Sequence, residues 1–504
     1  MGRAVRTMAN DKQRSGKRKS GYIAAGIALI ALLAGGGILM SQMNASRTLT
    51  FEGEPVRLNM EQSYDHFEGW GTSLAWWAND LGEWKDQAKL NEVMDLVFDP
   101  AKGLGLNIVR YNIGGEENPE MKALRPGGDV PGYQPEPGVW DWEADAGQRK
   151  VLQGSIERGV NITEAFSNSP PYWMTISGSV TGAEDGSNNL KEDQYDAFAD
   201  YLTEVVKHFR DEWGITFRTL DPLNEPSSDW WKKGNMQEGS HFSVDKQMVI
   251  IKKVAASLKS KGLDGTVVSA ADDNSIDETV ANFSVYDQDT LDAVAQINTH
   301  SYNGSKMEEL RALAEKHGKK LWMSEYGTGG SEPHSHEDMV SVQELAERIM
   351  FDLKIMQPSA WVYWQAVEDE GANNNWGFIH ANFNGEEHYE MTKQYYGMVQ
   401  FTKFIRPGAI IIPTDEGRTL AAYDQDAHRL VLVIRNEMSA GTKEFSLEPF
   451  ELTEADTAQV YQTSPEHNME QLQDIPVYAN GLKVEIGDNS ITTVVLEGVD
   501  LKSQ

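Results

Sequence analysis

The chain has 504 residues, 40% hydrophobic, 24% charged and none of them cysteine, which allows more than one buried core and excludes disulfides, thiolate nucleophiles and cysteine-held metal clusters. Its net charge of −32 is uneven: residues 1–47 hold eight Lys/Arg against one Asp, and the remainder holds 37 basic against 76 acidic side chains. So acidic a body repels phosphate backbones, which excludes nucleic acid as a partner and makes a neutral substrate the default.

In chain order, the basic stretch 1–20 carries Arg3, Arg6, Arg14, Lys17, Arg18 and Lys19 and is followed by the uncharged apolar run 21–40. Residues 21–45 therefore read as an export signal or a membrane anchor. The basic flank stays in the cytoplasm, and the body is expected outside, either secreted or anchored. Membrane contact is expected only through this segment, and a monomer is expected in solution.

Residues 48–64 read as strand material, chiefly Leu49–Leu58, that pairs with a sheet at the far end of the chain. Across 65–400, short apolar runs alternate with amphipathic stretches. The runs are His66–Thr72, Leu106–Tyr111, Val160–Phe166, Phe217–Leu223, Thr266–Ala270, Ala295–His300, Lys320–Glu325 and Ala360–Gln365. Helical spacing marks segments such as Gln194–Arg210 and Val342–Met356. Eight strand–helix units over this length predict a (β/α)8 TIM barrel. A doubly wound sheet is the alternative, but no G-x-G-x-x-G follows an early strand. The polar, glycine-rich stretch Gly178–Asn189 has the composition of a mobile loop over a site. Beyond 401, short alternating segments spaced by turns predict an attached antiparallel β-sandwich, completed by the 48–64 strands from the other end of the chain.

A (β/α)8 barrel carries its site at the C-terminal ends of its strands. The fourth run ends in Leu223-Asn224-Glu225-Pro226 and the seventh in Met323-Ser324-Glu325-Tyr326-Gly327. Alone, Asn-Glu-Pro could equally cap a helix opened by Pro226. As a pair, two carboxyls on opposite sides of one barrel mouth suit glycoside hydrolysis, in which one protonates the leaving oxygen and the other attacks the anomeric carbon. Glu225 and Glu325 are the expected catalytic residues. Arg110 closes the second run, where it either holds Glu325 ionised or makes a structural salt bridge. His300 and Tyr302 close the sixth, a histidine for a sugar hydroxyl and a phenol to orient Glu325. Trp364, Trp173, Trp77 and Trp230 are candidate sugar platforms, since pyranose C–H faces stack on indoles; Trp76, Trp231 and Trp376 share the same loops. Aromatic residues also fill cores, and each of these has that second reading. His334 and His336, with Glu332, Glu337 and Asp338, read as a solvated loop. No metal site and no cofactor is expected.

The blocks Phe67–Ser73, Gly105–Asn112, Asn168–Met174, Leu223–Pro226, His300–Tyr302, Ser324–Gly327 and Trp361–Gln365 together resemble glycoside hydrolase family 30. Gly71–Ala78 and Trp364-Gln365 are most similar to its endo-β-1,6-galactanase branch. The resemblance spans about 48–502. It implies a retaining enzyme acting by double displacement on the β-1,6-galactan side chains of arabinogalactan, a neutral β-linked polysaccharide. It also implies Glu225 as acid/base with the raised pKa of the pair, Glu325 as nucleophile, and Asn224 on the substrate 2-hydroxyl. Arg110, Asn224, His300, Tyr302 and Trp364 would line the central subsite. The alternatives are another activity of the family (xylanase, β-1,6-glucanase, glucosylceramidase) or a non-catalytic glycan-binding surface protein.

Overall fold

The computed structural model describes residues 48–121, 124–328, 338–372, 376–453 and 456–502. The expected export or anchor segment lies outside them, and among them no helix is long and apolar enough to cross a membrane. Eight parallel strands close a barrel in chain order: β1 (Gly69–Ser73), β2 (Ile108–Asn112), β3 (Ile162–Phe166), β4 (Thr219–Asp221), β5 (Val267–Ser275), β6 (Val294–Asn303), β7 (Lys320–Glu325) and β8 (Ala360–Gln365). Trp70 of β1 pairs with Trp361 of β8 to complete the ring.

The eight apolar runs and the eight strands coincide, with two differences that shape the barrel mouth. β4 stops at Asp221, so Leu223–Glu225 leave the ladder. β5 and β6 run on past Ala270 and His300, and their register shifts around Asp272, a non-glycine residue at φ 55°. These are bulges that turn side chains toward the mouth.

Helices cover the barrel because their apolar positions recur at three- and four-residue spacing. Helix Gln87–Phe98 is capped by Asp86, whose carboxylate accepts from the N–H groups of Ala88 and Lys89, and it buries Leu90, Val93, Met94, Val97 and Phe98. Helix Tyr195–Trp213 ends on Gly214 at φ 69°, a left-handed stop that costs glycine nothing. The stretch expected as Val342–Met356 is helix Met339–Phe351 followed by a π turn over Asp352–Met356.

Beyond the barrel, a mostly antiparallel sheet runs through Ile410–Pro413, Thr419–Asp424, Arg429–Asn436, Ser490–Glu497, Thr457–Thr463, Ile475–Tyr478, Gly481–Ile486 and Gly441–Ser446. Strand periodicity divides its side chains between two cores. Ile411, Leu420, Ala422, Val431, Val433 and Val495 join the barrel's core. Ile412, Ala421, Tyr423, Leu430, Leu432 and Val494 fill a second core within the attached domain, against Phe445, Val477 and Val484. The strand expected at Leu49–Leu58 does not form. Val56, Leu58 and Tyr64 make only single bridges, to Phe445, Thr414 and Ile411. Gly53 and Pro55 interrupt that run, and proline has no N–H for a ladder. The N-terminal segment still fastens both ends of the chain together, Leu49 exchanging hydrogen bonds with the Asn480 side chain.

The Gly178–Asn189 stretch is not a loose loop. Ser179, Val180, Thr181 and Ala183 are buried, Ser179 donates to Glu117, and bridges tie Ala183 to Lys232 and Asn188 to His241. Its serines and asparagines are spent inside the protein, where hydroxyl and amide groups satisfy a buried backbone.

Burial pushes four acids up: Asp145, Asp273 and Glu368 to about 7, and Asp352 to about 6. Carboxyls raised in the folded state bind protons there that the unfolded chain has released. Their stabilisation is complete below about pH 4 and is lost as pH rises through 6 to 7. Glu68 opposes this at the acid end; burial would raise it, but Arg218 and Lys320 hold it at about 2, so its contribution fades as pH falls below 4. The midpoint of thermal unfolding should therefore be highest near pH 4–5 and fall steadily to pH 8. Calorimetry across that range checks it, and a midpoint rising from pH 5 to 8 would refute it.

Candidate active site

Glu225 follows the early end of β4. Its N–H donates to Asp272 O at 2.9 Å, Trp231 Nε1 donates to its carbonyl at 3.1 Å, and its φ is 46°. Left-handed backbone at a non-glycine residue is strain that surrounding structure must hold. No helix opens at Pro226, the next one being Val244–Ser260, so the helix-cap reading of Asn-Glu-Pro fails. Glu325 is the last residue of β7.

The two carboxylates meet across the mouth. Each offers an oxygen within 4.8 Å of the other's and of a His300 ring nitrogen. His300 Nδ1 is 3.1 Å from Glu225 Oε1 and 3.5 Å from Glu325 Oε1, and Nε2 stands 3.3 Å from Asp272 Oδ1. Asn274 donates to Glu225 Oε1 at 2.7 Å, and the Tyr302 hydroxyl to Glu325 Oε1 at 3.1 Å.

Beneath lies a polar layer inside the barrel. Arg110 is wholly buried, with Nε 2.8 Å from Glu164 Oε1, Nη2 2.5 Å from Asp272 Oδ2 and Nη1 3.4 Å from Glu325 Oε2. The Phe166 ring lies 4.2 Å under its guanidinium. Thr219, Ser269, Gln296 and Asn298 all donate to Glu164, so the buried charges are paired and hydrogen-bonded.

Burial pushes the Glu325 carboxyl up to about 7, with the charge of Glu225 adding to it and those of His300 and Arg110 opposing it. Two carboxyls this close cannot both ionise cheaply and titrate as a unit, so the pair keeps one proton to near neutral pH. Burial would lower His300, but Glu325, Asp272 and Glu225 hold it well above an ordinary imidazole. A monoanionic pair beside an imidazolium can supply one acid and one nucleophile at once.

Above the pair opens a cleft of about 220 Å³. Of the expected residues, Glu225, Glu325, Asn224, Tyr302, Trp364 and Trp230 line it. Four do not. Arg110 and His300 are fully buried under the carboxylates, where they act on charge and cannot reach a sugar. Trp77 is a core residue whose indole N–H donates to Ser73 O. Trp173 is half-buried against the core and donates to Gln134 O.

Trp76 takes the place of Trp77, because its left-handed φ of 71° reverses the chain there and brings its ring to the cleft. The sequence pointed to a tryptophan in this loop but not to which of the two neighbours. Asn168, Asn274, Gln237 and Glu238 also line the cleft and were missed, as were the buried Glu164 and Asp272. Glu164 did leave a signal, a charge in the middle of an apolar strand. Asp272 and Asn274 lie in a bulge that sequence patterning does not encode. The His334 and His336 cluster lies outside the described residues apart from Asp338.

A family model described as O-Glycosyl hydrolase family 30 matches residues 54–375. An endo-β-1,6-galactanase from Hypocrea rufa is 34% identical over 414 residues, covering 78% of this chain and 83% of that protein. An exo-β-1,6-galactobiohydrolase from Bifidobacterium longum subsp. longum is 24% identical, covering 82% of this chain and 36% of that protein. The crystal structure of a conserved exported protein from Bacteroides fragilis matches in fold, with a TM-score of 0.73 at 21% identity over 88% of this chain and all of that one.

Proposed function

The chain belongs to glycoside hydrolase family 30, and from that membership we propose that it cleaves β-1,6-linked galactan by double displacement, outside the cytoplasmic membrane, with Glu325 as nucleophile and Glu225 as acid/base. The observation that carries this reading is the approach of the two carboxylates to within 4.8 Å at one cleft floor. Retaining enzymes hold their carboxyls about 5–5.5 Å apart, whereas inverting ones leave roughly 6.5–9.5 Å for a water. Glu325 attacks the anomeric carbon, held by Tyr302 and Arg110, while Glu225 protonates the departing oxygen. Glu225 then takes a proton from the water that releases the sugar.

Two observations favour a neutral galactan. The 34%-identical relative is named for that substrate. No Lys or Arg lines the cleft among the described residues, whereas Glu225, Glu238 and Glu325 do, so a uronic acid of a glucuronoxylan would face three carboxyls and no cation. The extracytoplasmic placement rests on the basic and then apolar order of residues 1–45.

Digestion of arabinogalactan stripped of its arabinose, beside xylan and β-1,6-glucan, tests the reading. β-1,6-Galactooligosaccharides should be released, with the β anomer first in proton spectra taken during the reaction. Xylo- or gluco-oligosaccharides in their place would overturn the substrate, and an α anomer first would overturn the double displacement.

A further inference from the structure

One wall of the cleft is built from three separate parts of the chain. Trp76, after β1, meets Trp364 of β8 edge to face at 4.8 Å and 87°, and stacks on Trp376 at 5.8 Å. All three rings line the cleft. Behind them Arg125, from the connection after β2, sets its guanidinium 4.2 Å from the Trp76 ring and 5.6 Å from that of Trp376. Its side chain is 11% exposed and its Nη2 is 2.5 Å from Glu368 Oε1. Glu368 lies in the short strand Val367–Asp369 that continues β8, and its other oxygen accepts from Gln365.

Trp76 needs such support. A tryptophan at φ 71° is in a backbone conformation that side chains rarely adopt, and its indole N–H has no hydrogen-bond partner among the described residues. Neither its own backbone nor a hydrogen bond fixes the ring. What does is contact: Trp364 at the edge, Trp376 and Arg125 at the ring, and Gly127 below. Gly127 is so close that a Cβ there would fall 1.6 Å from Trp76 O, so the Arg125 connection lies directly against the Trp76 backbone.

We propose that Arg125 is a positioning residue of the sugar-binding wall: anchored by Glu368, it fixes the Trp76 indole and thereby sets how tightly the cleft holds a neutral hexopyranose chain, not how fast the bond breaks. A guanidinium over an indole is attracted by the ring quadrupole and, once anchored, holds the plane of that ring. The inference rests on the proposed function, since it takes the cleft to bind a polysaccharide.

Arg125→Met, Arg125→Lys, Trp76→Leu and the double variant Arg125→Met/Trp76→Leu test this, assayed on β-1,6-galactooligosaccharides with melting midpoints measured in parallel. Arg125→Met should raise KM about 5- to 20-fold with kcat within about twofold. Arg125→Lys, which keeps the charge but loses the plane, should fall between it and wild type. In the Trp76→Leu background the same Arg125 change should add less than about a twofold effect, because the ring it positions is gone. The proposal is overturned by a loss in kcat at unchanged KM, by an undiminished Arg125 effect in the Trp76→Leu background, or by a lowered melting midpoint with normal KM. A wild-type enzyme inactive on every β-1,6-galactan would instead defeat the galactanase reading. The four variants then carry the same test on whichever polysaccharide of the panel wild type cleaves.

Discussion

Glu325→Gln should abolish turnover on every glycoside, with a loss on the order of 10⁴-fold or more. The amide has the shape of the carboxylate and can still accept from Tyr302, which donates to Oε1 at 3.1 Å. It cannot form the covalent bond to the anomeric carbon, and it carries no charge against the developing oxocarbenium ion. The size of the effect follows from the surroundings. Arg110 and the imidazole of His300 both approach Glu325 from the buried layer beneath the cleft, where such contacts are strong. Removing the negative charge leaves two cationic neighbours, but Arg110 keeps Glu164 and Asp272 and His300 keeps Asp272 and Glu225. The variant should therefore fold, which circular dichroism verifies. It should still bind oligosaccharide, since Trp76, Trp364 and Trp230 are untouched. Activity within about tenfold of wild type on both polysaccharide and aryl glycoside would remove Glu325 from the chemistry.

How much of this was legible beforehand differs between the barrel and its mouth. Strand and helix periodicity comes from burial, and burial is written in residue type; hence β3 and β7 fall where Val160–Phe166 and Lys320–Glu325 stand out as apolar runs. The two glutamates could be named because Glu325 ends β7 and Glu225 follows the end of β4, where barrel geometry brings side chains to the mouth. The aromatic wall could not be resolved residue by residue. Trp76 and Trp77 are neighbours of the same type, and only a left-handed φ at Trp76, against which Gly127 of another loop packs, decides which one faces the cleft. The same limit hid Asn274 and Asp272, which reach the site through bulges in β5. Arg110 was found, and its guanidinium approaches Glu325 and pairs with Glu164 and Asp272; His300 was found but assigned to a sugar hydroxyl, because the one-residue register shift beside Thr299 is below what sequence patterning resolves. The N-terminal strand failed for a local reason, Gly53 and Pro55, and was visible in principle.

Glu225→Ala should separate the two halves of the reaction. On polysaccharide, where the leaving sugar alcohol needs a proton, activity should fall by about 10²- to 10⁴-fold. On a dinitrophenyl glycoside, whose phenolate departs unaided, Glu325 can still attack, so glycosylation should proceed and the glycosyl-enzyme should accumulate as a burst. Hydrolysis of that intermediate then lacks a base. Azide needs none, and with the Glu225 carboxylate gone no negative charge repels it, so added azide should restore turnover and yield a β-glycosyl azide. The pH profile changes in a direction the site dictates. In wild type, kcat/KM should fall as pH rises through about 7, where the pair loses its shared proton and with it the acid. Glu225 is among the charges that raise Glu325, so its removal lets Glu325 ionise at lower pH. The alkaline fall should then disappear on the dinitrophenyl substrate, and the acid limb should move down. An azide product of α configuration would reverse the stereochemistry, and a variant indifferent to azide would mean that the group 3.1 Å from His300 is not the residue that moves the proton.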